Sequence, residues 1–133
     1  MKFMTLILCA ASVTAFAASI DGKWISEREV GAADGKTYTH TTTLTLKSEG
    51  GLLTGTIVQV SAAPWMADTN GQSIEIRDGK IDGDKFSFKV TTENKQGEKT
   101  AIYEGNVVGD HLKGIIKFRG ICQTWTLDAR RSN

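Results

Sequence analysis

Few residues in this chain carry chemistry. It has two histidines, His40 and His111, and two cysteines, Cys9 and Cys122, among 133 residues. His40 sits in the run Tyr38-Thr39-His40-Thr41-Thr42. An imidazole that titrates near neutrality, beside a phenol on the same strand face, can hydrogen-bond the polar head of a ligand, with Gln59 as a further partner. The competing reading is a surface or core-edge histidine on a Thr-rich strand, satisfied by its neighbours. His111 follows the Gly109-Asp110 turn and is expected in solvent. Asp78, Asp82 and Asp84 lack the oxygen count and loop spacing of a calcium site and read as turn residues. No Gly-x-Ser-x-Gly elbow, paired-His zinc motif or phosphate-binding glycine loop occurs. Glu75, Glu93 and Glu104 leave a carboxylate mechanism open, but no catalytic or metal-binding residue is assigned and no cofactor is implied.

These side chains need a scaffold, and the pattern of the chain names it. β-Branched and aromatic residues alternate with polar ones in run after run, and no segment after Ala17 keeps a helical period. Strands are predicted over residues 22–29, 37–48, 52–61, 73–81, 85–93, 98–108, 111–119 and 123–130. Within the fourth, Asp78-Gly79 marks a bulge rather than a hairpin. The turns Glu49-Gly50-Gly51, Asp82-Gly83-Asp84 and Gly109-Asp110 are short and glycine-bearing, as tight hairpins require. In a meander all three fall at one end, and the longer connections at the other. The prediction is an all-β, eight-stranded antiparallel up-and-down β-barrel, with a β-sandwich as the alternative. Gly55 and Gly114 lie inside strands, where glycine permits a bend or a close approach.

Residues 1–17 combine Lys2, the apolar run Phe3 to Ala11 and a small-residue end at Ala15-Phe16-Ala17. That is the pattern of a secretory signal peptide, too short to span a bilayer, and it implies an exported, periplasmic or secreted domain over residues 18–133. Lys2 leaves with the leader, so the 16 basic residues fall to 15 and match the 15 acidic ones. A neutral domain has no broad pull toward nucleic acid or a membrane surface. Cys122 is then the only thiol, expected as a small, half-buried apolar residue.

Gly22-Lys23-Trp24 opening the first strand, with Arg130-Arg131 ending the last, resembles the calycins: lipocalins, fatty-acid-binding proteins and avidins. Leu53-Thr54-Gly55-Thr56-Ile57 is similar to the third-strand pattern of avidins. The resemblance implies a barrel whose tryptophan plugs the closed end beneath a late arginine. No tryptophan lies between Trp65 and Trp125, so the aromatic walls of an avidin-type biotin site are missing.

Period-two alternation then assigns the lumen. Tyr38, His40, Thr42, Leu44 and Leu46 share one face, joined by Leu53, Ile57, Gln59, Ile74, Ile76, Phe86, Phe88, Val90, Tyr103, Val107, Leu112, Ile116, Phe118, Trp125 and Leu127. Such a lumen is apolar below and polar at the mouth, and it either packs solid or holds one small ligand. In the longest connection, Trp65 and Met66 either cap a ligand or fold back over the mouth. The leading expectation is a barrel that binds a small, partly apolar molecule at its loop-rich end without transforming it. The ligand contacts would be Tyr38, His40, Gln59, Trp65, Met66, Tyr103, Phe118 and Trp125. The alternative is a module with a solid core whose loops meet a protein or polysaccharide.

Overall fold

The computed structural model describes residues 19–64, 70–94, 97–120 and 122–132. The predicted leader, Trp65 and Met66 lie outside them. The strands are β1 (Gly22–Gly31), β2 (Thr37–Glu49), β3 (Leu52–Ser61), β4 (Ser73–Glu75), β5 (Arg77–Asp82), β6 (Lys85–Asn94), β7 (Gly97–Val108), β8 (His111–Phe118) and β9 (Thr124–Ser132). All pairings are antiparallel. Because β1 pairs with both β2 and β9, and β2 pairs with β3, the sheet closes on itself as the alternation predicts.

One predicted strand is divided. Residues 73–81 form β4 and β5, which lie against the same β3 neighbour and together make a single stave of an eight-stranded barrel. Between them the Ile76 amide donates to the Gly55 carbonyl at 3.0 Å. Asp78 takes a left-handed φ of 52°, and the β5–β6 register shifts between Arg77 and Lys80. Aspartate tolerates that backbone region better than most residues, so the expected bulge is present.

Two further glycines are explained by contact. A Cβ on Gly114 would fall 1.9 Å from the Glu104 carbonyl oxygen, and one on Gly55 would fall 1.9 Å from the Thr45 oxygen. Only glycine lets neighbouring backbones pass this closely where a small barrel coils.

Inward side chains fill the lower lumen. Trp24, Leu44 and Leu112 have no exposed surface, and Phe88 and Ile57 keep 1% each. Phe88 stacks on Tyr103 at 4.8 Å between centroids and on Phe86 at 6.0 Å. At the closed end the Trp24 Nε1–H donates to the Ile20 carbonyl at 2.9 Å. The Arg131 guanidinium carbon stands 4.2 Å from the indole centroid, while its Nη1 donates to the Asp21 carbonyl at 2.8 Å and its Nη2 to the Ser19 carbonyl. Of the two candidate arginines, Arg131 is therefore the cap. Burying the ring is worth about 2 to 3 kcal/mol and the cation over its face about 0.5 to 2 kcal/mol. Asp21 secures the same corner: its Oδ1 accepts from the Ser48 amide at 2.7 Å and the Ser48 hydroxyl at 2.8 Å. These bonds hold its carboxyl below the usual range.

Trp24→Ala is expected to lower stability by about 3 to 5 kcal/mol, from lost burial and a cavity that strands on all sides cannot close. Urea denaturation checks this; an unchanged midpoint would mean that the indole is not the plug. Gly114→Ala is expected to destabilise by about 1 to 3 kcal/mol through overpacking, whereas a neutral result would show that the strands separate cheaply.

Candidate functional site

The open end is built by the later half of β1 and β3, the start of β2, β7 and β9, and the ends of β6 and β8. Strand pairing places three residues at one level: buried His40 faces Arg28, which is exposed at the mouth, across the β1–β2 ladder, and buried Ser61 across the β2–β3 ladder. On the far wall, Tyr103 pairs with Ile116, which pairs with Trp125, and Ala101 pairs with Phe118. The β1–β9 ladder covers only Lys23 to Ile25 on the β1 side. Above it Arg28 spans the seam, its guanidinium carbon 5.7 Å from the Trp125 ring centroid. Trp125 in turn meets Phe118 edge-on, with centroids 4.6 Å apart.

His40 is the anomaly of the site. The residue is 7% exposed, and its Nδ1 is buried without a hydrogen-bond partner among the described residues. Leaving such a group unsatisfied costs about 1 to 3 kcal/mol, so native structures rarely keep one without a use for it. Desolvation first, and the Arg28 charge second, hold its pKa below the ordinary 6.5, so the ring is neutral at pH 7. Burial likewise pushes the Tyr103 hydroxyl up to about 12, against a smaller opposing pull from Arg28. One cation thus acts on both polar groups of the upper lumen.

The expected contacts fall into two groups. His40, Tyr103, Phe118 and Trp125 lie on the inner face at or just below the mouth, with Tyr103 3% exposed and the other two aromatics half-buried. Tyr38 and Gln59 are also half-buried on open-end strands, one level from His40. Trp65 and Met66 lie outside the described residues. Arg28 was missed as a site residue. Its signal was present, because residues 24, 26 and 28 alternate onto the face that Trp24 buries, but a charged residue on a strand is ordinarily read as outward.

Phe118 also lines a surface pocket of about 140 Å³ with Glu98, Lys99, Thr100 and Arg119 at the ends of β7 and β8. Glu104 does not face the lumen; it holds Lys117 at 2.9 Å on the outer surface, while Glu75 and Glu93 are exposed. Cys122 corrects an expectation. It is exposed rather than half-buried, because it lies in the β8–β9 connection, beyond the barrel wall.

Two outcomes are expected for His40. His40→Leu removes the unsatisfied nitrogen at similar volume, so its melting temperature should equal or exceed that of the native protein; a clear drop would show that the imidazole is satisfied. The pH dependence follows from the lowered pKa. The unfolded chain takes up the proton more readily, so stability is full above about pH 6.5 and declines as pH falls toward the folded value. Between about pH 7.5 and about pH 5 the native melt should fall further than that of His40→Leu, and parallel declines would assign the effect elsewhere. No family model, curated protein or solved structure matches the chain, and the barrel's own geometry carries the functional reading.

Proposed function

We propose that this chain is an exported, calycin-like barrel that binds a small, partly apolar molecule at its open end and leaves it chemically unchanged. The observation that carries the reading is the Nδ1 of His40, unpaired among the described residues and buried on β2 opposite Arg28, whose guanidinium lies over Trp125. A mostly apolar concavity with a few convergent polar groups is the usual build of a small-molecule site. The packed lower lumen favours a ligand held at the mouth rather than along the barrel axis. Kinship with the calycins is supported by Trp24 and Arg131, which meet at the closed end in the way that resemblance implies. Export, to the periplasm or beyond the cell, rests on the leader pattern of residues 1–17.

The same solid core also favours the second reading, a module that presents its loops to a protein or polysaccharide. The two separate in one experiment. On the first reading, thermal melts of the purified protein against amphipathic and aromatic metabolites yield compounds that raise the melting temperature, and His40→Gln reduces that shift. If no compound moves the melt, and Trp65→Ala abolishes capture of a partner without changing the melt, the module reading replaces it.

A further inference from the structure

Resting on that reading, we infer that the mouth takes a short, planar anion of the aromatic carboxylate class, its carboxylate between Arg28 and His40 and its ring against Trp125 and Phe118. The charge of the head group follows from Arg28. Among the described residues no carboxylate lies within 4.0 Å of its guanidinium, although Lys89, Lys117 and Arg131 each hold one. The cation instead rests over an aromatic ring, and the polar groups it acts on, His40 and Tyr103, are both neutral at pH 7. A guanidinium fork matches the two oxygens of a planar carboxylate.

The second contact follows from the ladder. His40 is the cross-strand partner of Arg28, so one oxygen of the same carboxylate can accept from Nδ1–H when the proton sits on that nitrogen. The flexible Arg28 chain gives way to admit it. A neutral alcohol would satisfy His40 and leave Arg28 without a counter-charge. An ammonium head would be repelled by Arg28.

The shape of the ligand follows from what is filled. Leu44, Phe88 and Tyr103 are all buried, with Phe88 stacked on Tyr103, and these bulky side chains obstruct the path of a long alkyl tail down the axis. The edge-on Trp125–Phe118 pair offers a lateral apolar surface, and Phe118 also lines the pocket of about 140 Å³, where Lys99 and Arg119 outnumber Glu98. A cavity of about 150 Å³ accommodates a benzene-sized ring.

Isothermal titration calorimetry of the purified protein with 2-naphthoate, 2-naphthalenemethanol and tetradecanoate tests each element. The naphthoate should bind at least about tenfold more tightly than the alcohol of the same ring, and more tightly than tetradecanoate. Arg28→Gln should weaken the naphthoate about 10- to 100-fold and leave the alcohol nearly unchanged, with an unaltered melt confirming the fold. Equal binding of acid and alcohol, or no effect of Arg28→Gln, would overturn the anionic head group. Tighter binding of tetradecanoate would overturn the short ligand. Either result leaves a mouth-binding barrel standing, whereas silence from all three compounds and from the metabolite melts removes that reading as well.

Discussion

The barrel depends on the contact between its first and last strands, and that contact is narrow. The β1–β9 ladder covers three residue pairs, against ten on the other side of β1 and seven between β8 and β9. What reinforces it is the Trp24 indole beneath the Arg131 guanidinium, with the same arginine donating to the carbonyls of Ser19 and Asp21. A single side chain from the C-terminal strand thus satisfies backbone groups that precede the first strand and covers the largest buried ring. Closing the sheet there also removes its free edges, which β-rich domains must otherwise protect.

The same narrowness explains the site. Where the β1–β9 ladder ends above Ile25, the wall loses its hydrogen-bonded continuity, and Arg28 lies across the opening toward Trp125. An arginine can do this because its aliphatic stem packs while its planar head stacks on a ring. The cost is borne by His40, which sits opposite on β2, desolvated and next to a cation. Closure at one end and a buried, unsatisfied imidazole opposite a cation at the other flank the same short ladder.

Much of this was legible from residue order. The turns at Glu49 to Gly51, Asp82 to Asp84 and Gly109 to Asp110 mark their strand ends closely, because glycine there answers a local backbone need. The bulge at Asp78 was legible for the same reason. Arg28 was not, since its hydrophilicity argued for solvent while its parity with Trp24 argued for the lumen face, and it stays exposed at the mouth while its head meets a ring across the seam. Cys122 misled in the opposite sense, because thiols are commonly buried and nothing local signalled that its loop lies outside the wall.

The sequence by itself determined the strand series, the turn end and the side-chain faces of an all-β chain, because period-two alternation and turn chemistry act over a few neighbouring residues. Tertiary structure alone decided that Arg131 rather than Arg130 caps the indole, that the lower lumen is filled, and that Arg28, His40 and Trp125 meet at one mouth. Those outcomes depend on the stagger and width of the closed sheet, which bring together residues nearly one hundred positions apart. No local pattern encodes the distance between them.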